Sequence, residues 1–455
     1  MKMYLAIDIG ASSGRHIVGW LENGVLKTEE IYRFKNGTET KGGHLIWNTE
    51  RLFAEVVNGL KRAKEIGKIP SYIGIDTWAV DYALLDKEDK LIGEVFAYRD
   101  SRTIKSSEAV HRQISFYELY QRTGIQYQPF NTIYQLYADK LSGKINEAES
   151  LLMLPDYLNF LLTGVKKQEY TNATSTGLVN AQTGNWDGNI IDLLGLNKKL
   201  FGGLSQAGTE VGELKKEIQT AIGYNATVVL PATHDTASAV LAAPIDEESP
   251  YISSGTWSLL GIEQSHAHTD EDSRKANYSN EGSINGAFRY QKNIMGLWLI
   301  QNVKKELGNL SFETLAQMAK CKEDCGIIDV NDQRFLSPKN MMDEINKALG
   351  KSLSSASIMR VIYDSLALSY ANAIKELERN IGKTYTTLNI IGGGSRDNLL
   401  NELTAKATGK KVIAGPVEAT AIGNLIMQMI GAGEIKDLSE ARKIVRKSFD
   451  IKEVK

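Results

Sequence analysis

The sequence predicts an α/β protein built from two related halves, and three observations predict it. The chain opens with YLAIDIGASSGRHIVGWL at 4–21, an apolar run that ends at a carboxylate, turns through Gly and Ser, and re-enters an apolar run. A segment of the same design, YISSGTWSLLGI, returns at 251–262. Near the far end, TLNII at 387–391 leads through Gly392, Gly393 and Gly394 into helical sequence. A design repeated at such a distance points to a repeated structural unit, and 455 residues exceed what one core ordinarily holds.

In the opening stretch Leu5, Ile7 and Ile9 alternate as in a strand, and the residues from His16 onward resume β-like composition instead of starting a helix. That separates it from a Walker A loop, whose Gly-Lys-Ser/Thr begins a helix. Gly10 and Gly14 permit unusual φ values, so backbone N–H groups can converge on an anion while Ser12 and Ser13 add hydroxyl donors. Asp8 stands at the mouth of the first strand, where a carboxylate can hold Mg²⁺ through water. A plain tight hairpin with serines as turn formers accounts for the same letters.

Composition narrows the function classes. With 42% hydrophobic and 24% charged residues the chain reads as a soluble globular protein. Lys and Arg (53) nearly balance Asp and Glu (55), for a net charge of −2, and form no runs, so there is no electrostatic footprint for nucleic acid. No segment has the length and apolarity of a membrane span, and the short apolar stretch before Asp8 is no signal-peptide core, which predicts a cytoplasmic location. Cys321 and Cys325 stand about one helical turn apart without further Cys or His nearby, the pattern of reduced thiols and not of a disulfide framework or metal site.

After the opening hairpin, Glu22-Asn23-Gly24 marks a turn into a third strand at 25–34, followed by a polar loop at 35–43. Asn48 or Thr49 caps a helix in which Leu52, Phe53, Val56, Val57, Leu60 and Ala63 recur at helical spacing. A strand at 72–76 runs into DTWAVDYALLD at 76–86, read as a strand end, a bend and a further strand. Asp76 and Asp81, with Trp78 between them, make that bend a candidate substrate wall or else merely cap it. AYRDSRT at 97–103 has the composition of an internal salt-bridge network, and helices are expected from about 105 and over 115–122, 132–141 and 155–162. The small polar segment TNATSTGLVNAQT at 171–183 reads as a sugar-facing strand or a solvated loop.

TVVLPATHDTASAVLAA at 227–243 carries a strand through Pro231 and a short turn, with His234, Asp235 and Thr236, into a small-residue helix. At that helix N-terminus the dipole should lower the pKa of Asp235 and keep it ionised, ready to accept a proton from a substrate hydroxyl. An aspartate cap with only a structural role fits the same position. PIDEESP at 244–250 is the expected boundary between domains 1–244 and 245–455. His266 and His268, near Asp270 and Asp272, are read as a surface loop and not as metal ligands. FRYQKNI at 288–294 is a strand leading into a helix, with Asn293 and Gln301 polar where apolar neighbours dominate. Helical periodicity covers 312–321, 338–349 and 356–381; the strand, glycine turn and helix over 387–408 would let a nucleotide press against bare backbone at a helix N-terminus; a strand at 411–414 and helical sequence to 447 follow.

Together these stretches resemble the FGGY family of carbohydrate kinases, in the actin-like ATPase superfamily. The resemblance covers nearly the whole chain and rests on DIGASSGR at 8–15, DTWAVDY at 76–82, AYRDSRT at 97–103, HDTASAV at 234–240, SSGTWSL at 253–259, KNIMGLW at 292–298, and GGGS with AGPVEA at 414–419. It implies two ribonuclease-H-like domains closing on a central cleft where ATP and sugar meet, with sugar and phosphate on the N-terminal side and nucleotide on the C-terminal side. It implies ATP contacts at Ala11, Ser12, Ser13, Gly14, Arg15, Thr256, Gln301, Gly393 and Gly394, and Mg²⁺ positioned from the side of Asp8. The sugar is expected against Ala79, where a glycine is usual in the family, and against His234, Asp235, Thr236 and Asn293, with Asp235 as the catalytic base. Within the family, DTWAVDY and KNIMGLW favour L-rhamnulose, phosphorylated at its carbon-1 hydroxyl. A kinase of fuculose, ribulose or xylulose and a non-catalytic actin-like ATPase are the alternatives. The expected partners are the sugar and ATP, without nucleic acid or membrane, for a monomer or small homo-oligomer.

Overall fold

The computed structural model describes residues 2–245 and 248–454. Asp246 and Glu247, in the expected boundary segment 244–250, lie outside the described residues. The chain forms two compact units, one of Met1–Ala242, Gln264–Tyr290 and Thr420–Ser448, the other of Ala243–Glu263, Gln291–Ala419 and Phe449–Lys455. A single cut into 1–244 and 245–455 therefore describes the packing only in part, because two later segments return to the first unit.

The first unit is built on β1 (Tyr4–Ile9), β2 (Ser13–Glu22), β3 (Val25–Lys35), β4 (Tyr72–Thr77), β5 (Glu210–Glu213) and β6 (Thr227–Val229), in the order β3-β2-β1-β4-β6-β5. The first three strands form an antiparallel meander. β1 then takes β4 as a parallel neighbour and β4 takes β6, while β5 runs antiparallel at the edge. Asn23 (φ 53°) and Gly24 (φ 69°) both adopt the left-handed conformation that a two-residue hairpin turn requires, as the Asn-Gly pair predicts. All of β1 is buried, which is why its sequence is nearly continuous in apolar residues.

One face of the sheet is covered by the helix Thr49–Glu65. Asn48 caps it by accepting from Arg51 N at 3.0 Å, and Leu52, Val56 and Leu60 are fully buried against Leu5, Ile7, Ile73 and Ile75. The C-terminal helix Ala419–Gly431 supplies polar ties to the same strands. Asn424 Nδ2 donates to Gly74 O at 3.1 Å and to Asp76 Oδ2 at 2.5 Å, and Gln428 Nε2 donates to Leu5 O at 3.0 Å.

Two expectations change here. The segment 171–183 is not a strand, and only its end is solvated: it begins in the short buried helix Tyr170–Thr174, whose N-cap Glu169 accepts from Thr171 N and Asn172 N, and ends in a turn where Gln182 and Thr183 are exposed. A buried carboxylate cap satisfies the backbone that a strand ladder would have satisfied. The charges of 97–103 are not a closed network either. Asp100 caps the turn Ser101–Thr103 and accepts from Leu45 N at 2.8 Å, while Arg102 reaches Asp139 at 2.6 Å on the helix Thr132–Leu141.

A second sheet repeats the scheme with β7 (Tyr251–Ser254), β8 (Trp257–Gln264), β9 (Phe288–Met295), β10 (Thr387–Ile391), β11 (Lys411–Ala414) and β12 (Lys452–Val454), in the order β9-β8-β7-β10-β11-β12 with the strand Ser279–Gly282 beyond β9; of these, Gln264, Ser279–Gly282 and Phe288–Tyr290 are counted in the first unit and the rest in the second. β7 and β8 form an antiparallel hairpin, β10 joins β7 in parallel, β11 joins β10 in parallel, and β12 closes the edge antiparallel. The repeat seen in the sequence is thus a repeat of topology: each unit starts with a hairpin whose first strand takes its parallel partner on the other side. The helix Ser355–Ile381 covers this sheet's core, and its Tyr370 shares a hydrogen bond with Ser258 Oγ on β8 at 2.7 Å. Among the described residues no helix is long and apolar enough to cross a membrane.

Candidate active site

In the first unit the parallel strands β1 and β4 end in carboxylates, and the chain beyond β6 continues the row. Asp8 on β1 lies in register with Asp76 on β4, and the bridge between Thr77 and His234 draws the turn after β6 level with them. Thr77 N donates to Thr233 O at 3.0 Å, and Thr233 Oγ1 donates to the buried Glu169 at 2.8 Å, so the His234 turn is anchored on both sides. Carboxyl ends of neighbouring parallel strands are where open α/β sheets bind ligands.

Hydrogen bonds tie the hairpin loop from within and from outside. Gly10 N donates to Ser13 O at 2.9 Å, and Asn36, just beyond β3, clamps the loop from outside, its N donating to Ser12 O at 3.0 Å and its Nδ2 to Gly10 O at 2.8 Å. Ser12 is exposed and Ala11, Ser13 and Arg15 are half-buried, so this loop offers polar groups at the surface of the unit. The expected role of its glycines is corrected. Neither Gly10 nor Gly14 has positive φ; Gly14 is required because a Cβ there would lie 2.1 Å from the Phe34 ring. Arg15 donates twice to Asp8 Oδ2, through Nε at 2.9 Å and Nη2 at 2.7 Å.

Burial dominates the electrostatics of this row. Asp76 is fully buried, and desolvation followed by the charge of Asp8 pushes its carboxyl well above the usual range against the Asn424 hydrogen bond. Asp235 is the first residue of the seven-residue helix Asp235–Leu241, with His234 in the cap position. Its carboxyl is pushed up, not down as the helix dipole alone would have it: desolvation outweighs the His234 charge, and Asp8 adds to the rise. Its side chain is still 31% exposed, so it is reachable. Oδ1 accepts from Thr236 N at 2.5 Å and from Thr236 Oγ1 at 3.2 Å, and lies 3.4 Å from His234 Nε2.

The bend after β4 brings Ala79 to the surface of the unit, half-buried, beside a strained residue. Val80 has φ 69°, a conformation that β-branched residues rarely adopt. Its carbonyl accepts from Thr132 Oγ1 at 2.7 Å and Gln135 Nε2 at 3.2 Å. Next to it the buried Asp81 accepts from Trp47 Nε1 at 2.6 Å, Trp78 Nε1 at 2.9 Å, Tyr98 N at 3.1 Å and Gln135 Nε2 at 3.0 Å; burial nevertheless lifts its carboxyl to about 6. Asp81 is therefore an internal anchor and not the substrate wall that its spacing from Asp76 suggested.

The second unit gathers the other predicted residues. Thr256 lies in the β7–β8 hairpin, whose Gly255 N donates to Trp257 O at 2.8 Å. The segment after β9 packs onto that hairpin: Leu297 N donates to Gly255 O at 3.0 Å and Trp298 N to Thr256 O at 3.2 Å, opening the helix Trp298–Glu306 that carries Gln301. Asn293 is half-buried on β9. Gly392 (φ 81°) ends β10, and a single 3-10 turn, Gly393–Arg396, intervenes before the helix Asn398–Thr408, which Asp397 caps. A Cβ at Gly394 would lie 1.9 Å from Ser254 Oγ, so the glycine turn rests directly on the hairpin.

The predicted residues thus fall into two groups: Asp8, Ala11 to Arg15, Ala79 and His234 to Thr236 in the first unit, and Thr256, Asn293, Gln301, Gly393 and Gly394 in the second. Sequence reasoning missed Asn36, Asn424, Glu281 and Arg289. Only Asn424 left a signal, since it and Gln428 are polar residues one turn apart in the otherwise apolar ATAIGNLIMQMIG. Cys321 and Cys325 are both free thiols, and no group of three or more metal-ligating side chains occurs among the described residues.

Residues 3–242 match the N-terminal domain of the FGGY family of carbohydrate kinases, and residues 250–432 match its C-terminal domain. A rhamnulokinase of Oceanobacillus iheyensis is 47% identical over 98% of this chain and 97% of its own length. A rhamnulokinase of Bacillus subtilis is 44% identical over 99% of this chain and 94% of its own length. Among solved structures, a ligand-bound xylulose kinase from Lactobacillus acidophilus superposes with a TM-score of 0.82 at 16% identity, covering 100% of this chain and 94% of that one. Plasmodium falciparum glycerol kinase with ADP reaches 0.76 at 14% identity, covering 100% and 94%. At such identities these two structures speak to the fold alone.

Proposed function

The chain belongs to the FGGY family of carbohydrate kinases, and from that premise we propose that it moves the γ-phosphoryl group of ATP onto the carbon-1 hydroxyl of L-rhamnulose, giving L-rhamnulose 1-phosphate and ADP in rhamnose catabolism. The observation that carries the reading is Asp235: a reachable carboxylate at the end of the strand row, held through one oxygen, as a general base must be within reach of the proton it takes. Its Oδ2 takes the proton of the sugar hydroxyl as that oxygen attacks the γ-phosphorus in line. His234, Thr236, the backbone at Ala79, and Asn293 orient the sugar. Ala11, Ser12, Ser13, Gly14 and Arg15 in one hairpin, and Thr256, Gln301, Gly393 and Gly394 in the other unit, hold ATP and donate to the charge that develops on its phosphates.

The residues also fit a magnesium ion. Such an ion needs only one or two carboxylates, completed by water and substrate phosphate, and Asp8 offers one at the strand end with Arg15 occupying a single oxygen. When bound there, Mg²⁺ neutralises phosphate charge. A cytoplasmic location, action as a monomer or small homo-oligomer, and the lack of nucleic-acid or membrane partners complete the reading; the two free thiols and the net charge of −2 support it.

The test is Asp235→Asn. It should bind ATP as the wild type does and lose roughly 10²–10⁴-fold in sugar-dependent turnover; near-normal turnover would remove Asp235 from the mechanism. Release of ADP measured with L-rhamnulose, fuculose, ribulose and xylulose in parallel should be fastest with L-rhamnulose. A faster rate with another ketose reassigns the sugar, and no sugar-dependent release overturns the reading.

A further inference from the structure

Behind Asp235 lies a buried array that the reaction as described does not use. Arg289 is the largest fully buried side chain among the described residues, and Glu281 and His234 are each only 6% exposed. His234 Nδ1 lies 3.0 Å from Glu281 Oε2 and 3.2 Å from Arg289 Nη2. Arg289 Nη2 donates in turn to Glu281 Oε2 at 3.1 Å, and its Nε donates to Gly282 O at 3.2 Å. The opposite ring nitrogen, His234 Nε2, faces Asp235 Oδ1 at 3.4 Å, an ion-pair distance.

The donor and acceptor chemistry restricts the proton on this ring. A guanidinium only donates and a carboxylate only accepts. If Nδ1 is bare it accepts from Arg289, whose charge, bonded to Glu281 as well, offsets the carboxylate that faces the Nδ1 lone pair at 3.0 Å, and the ring proton then sits on Nε2. If Nδ1 carries a proton it donates to Glu281, and a second proton on Nε2 makes the imidazolium, whose charge Glu281 and Asp235 share. The third form, with a proton on Nδ1 and a lone pair on Nε2, would set that lone pair against the Asp235 carboxylate. Both favourable forms present an N–H to Asp235. Among the described residues the hydrogen bonds to Asp235, from Thr236 N and Thr236 Oγ1, both end on Oδ1, and His234 Nε2 lies 3.4 Å from that same oxygen. Oδ2 is left to receive the substrate proton.

We propose that Glu281 and Arg289 are positioning residues for the phosphoryl transfer, clamping the His234 ring so that its Nε2–H fixes Oδ1 of Asp235 and turns Oδ2 to the sugar hydroxyl. This rests on the reading of Asp235 as the base. It gives a role to a fully buried arginine and a nearly buried glutamate, groups that are costly to desolvate. The pair acts through His234 and does not touch the reacting atoms.

The test uses the full-length enzyme with Glu281→Gln, Asp235→Asn and the double variant. Glu281→Gln should melt at a lower temperature, because Arg289 is left buried without its counter-charge, yet keep its ATP affinity, hold KM for the sugar within about twofold, and lose about tenfold in kcat, a fraction of what a general base supplies. Because the two residues serve one step, the double variant should turn over no more slowly than Asp235→Asn alone, whereas independent losses would multiply. Near-normal turnover in Asp235→Asn defeats the base itself and this proposal with it. Loss in Asp235→Asn with wild-type kcat in Glu281→Gln, or multiplied losses in the double variant, overturns the positioning role alone. Should Glu281→Gln not fold, ¹⁵N NMR of the wild-type imidazoles decides, with His234 assigned by the resonance missing from His234→Gln. A protonated Nε2 across the neutral pH range is expected, and a bare Nε2 refutes the clamp.

Discussion

His16, which follows Arg15 on β2, should make the hairpin sensitive to acid. Its ring is fully buried beneath the helix Thr49–Glu65, where Nε2 meets Val56 O at 3.1 Å and a Cβ on Gly59 would come within 2.2 Å of it. Burial pushes the imidazole down to about 4 from its ordinary 6.5, and the Val56 carbonyl restores only a little. The unfolded chain therefore takes up a proton that the folded chain refuses. A lowered native pKa gives stabilisation that is complete above 6.5 and is lost as pH falls from 6.5 to 4. At about 1.4 kcal/mol per tenfold change in proton concentration the loss comes to about 3 kcal/mol. The assay is urea unfolding of the wild type and of His16→Gln at a series of pH values through that window. Glutamine keeps an N–H for Val56 O and does not titrate. Subtracting the two curves cancels the buried carboxyls Asp76, Asp81, Asp156 and Glu169, whose raised pKa values act alike in both chains. The wild type should lose about 3 kcal/mol relative to the variant across the window, and parallel curves would refute the argument.

Three further outcomes follow from named contacts. Val80 is 8% exposed with φ 69°, so Val80→Gly should be at least as stable in thermal melts as Val80→Ala, by about 1 kcal/mol, reversing the usual order of the two residues; a more stable alanine variant would mean the backbone there is unstrained. Gly394→Ala forces its methyl onto Ser254 and should cost about 1–3 kcal/mol of stability together with nucleotide affinity, and Ser254→Gly in the same chain should recover part of both. No recovery would place the damage elsewhere. Asp8→Asn should raise the Mg²⁺ concentration needed for half-maximal turnover while leaving the melting transition of the ligand-free protein within about 1 kcal/mol of wild type, since Arg15 keeps one acceptor there; an unchanged Mg²⁺ dependence would remove Asp8 as its ligand.

Much of the fold was legible because its signals are local. The Asn-Gly turn, the apolar run of β1, the helical periodicity of 356–381 and the strand at 387–391 depend on neighbours in the chain, and the observed elements begin and end within a residue or so of them. What escaped depends on partners far away in sequence. The segment 171–183 looked polar and solvated because its letters do not disclose that Glu169 would be buried under them. The pKa of Asp235 was misjudged in the same way: the helix dipole is read from the chain, whereas desolvation and the charge of Asp8 come from tertiary packing. Glu281 and Arg289 stood in no motif by spacing, and Asp81, which its spacing made a substrate group, is consumed by four internal donors.

The return of Thr420–Ser448 to the first unit has a consequence for how the protein comes into being. A nascent chain can pair β1 with β4 early, but Gly74 O, Asp76 and Leu5 O wait for Asn424 and Gln428, more than three hundred residues later in synthesis. Until their helix, Ala419–Gly431, leaves the ribosome, Gly74 O, Asp76 Oδ2 and Leu5 O lack these donors. Contacts of such long range slow folding, and β1 and β4 should become protease-resistant only once that helix has packed on them.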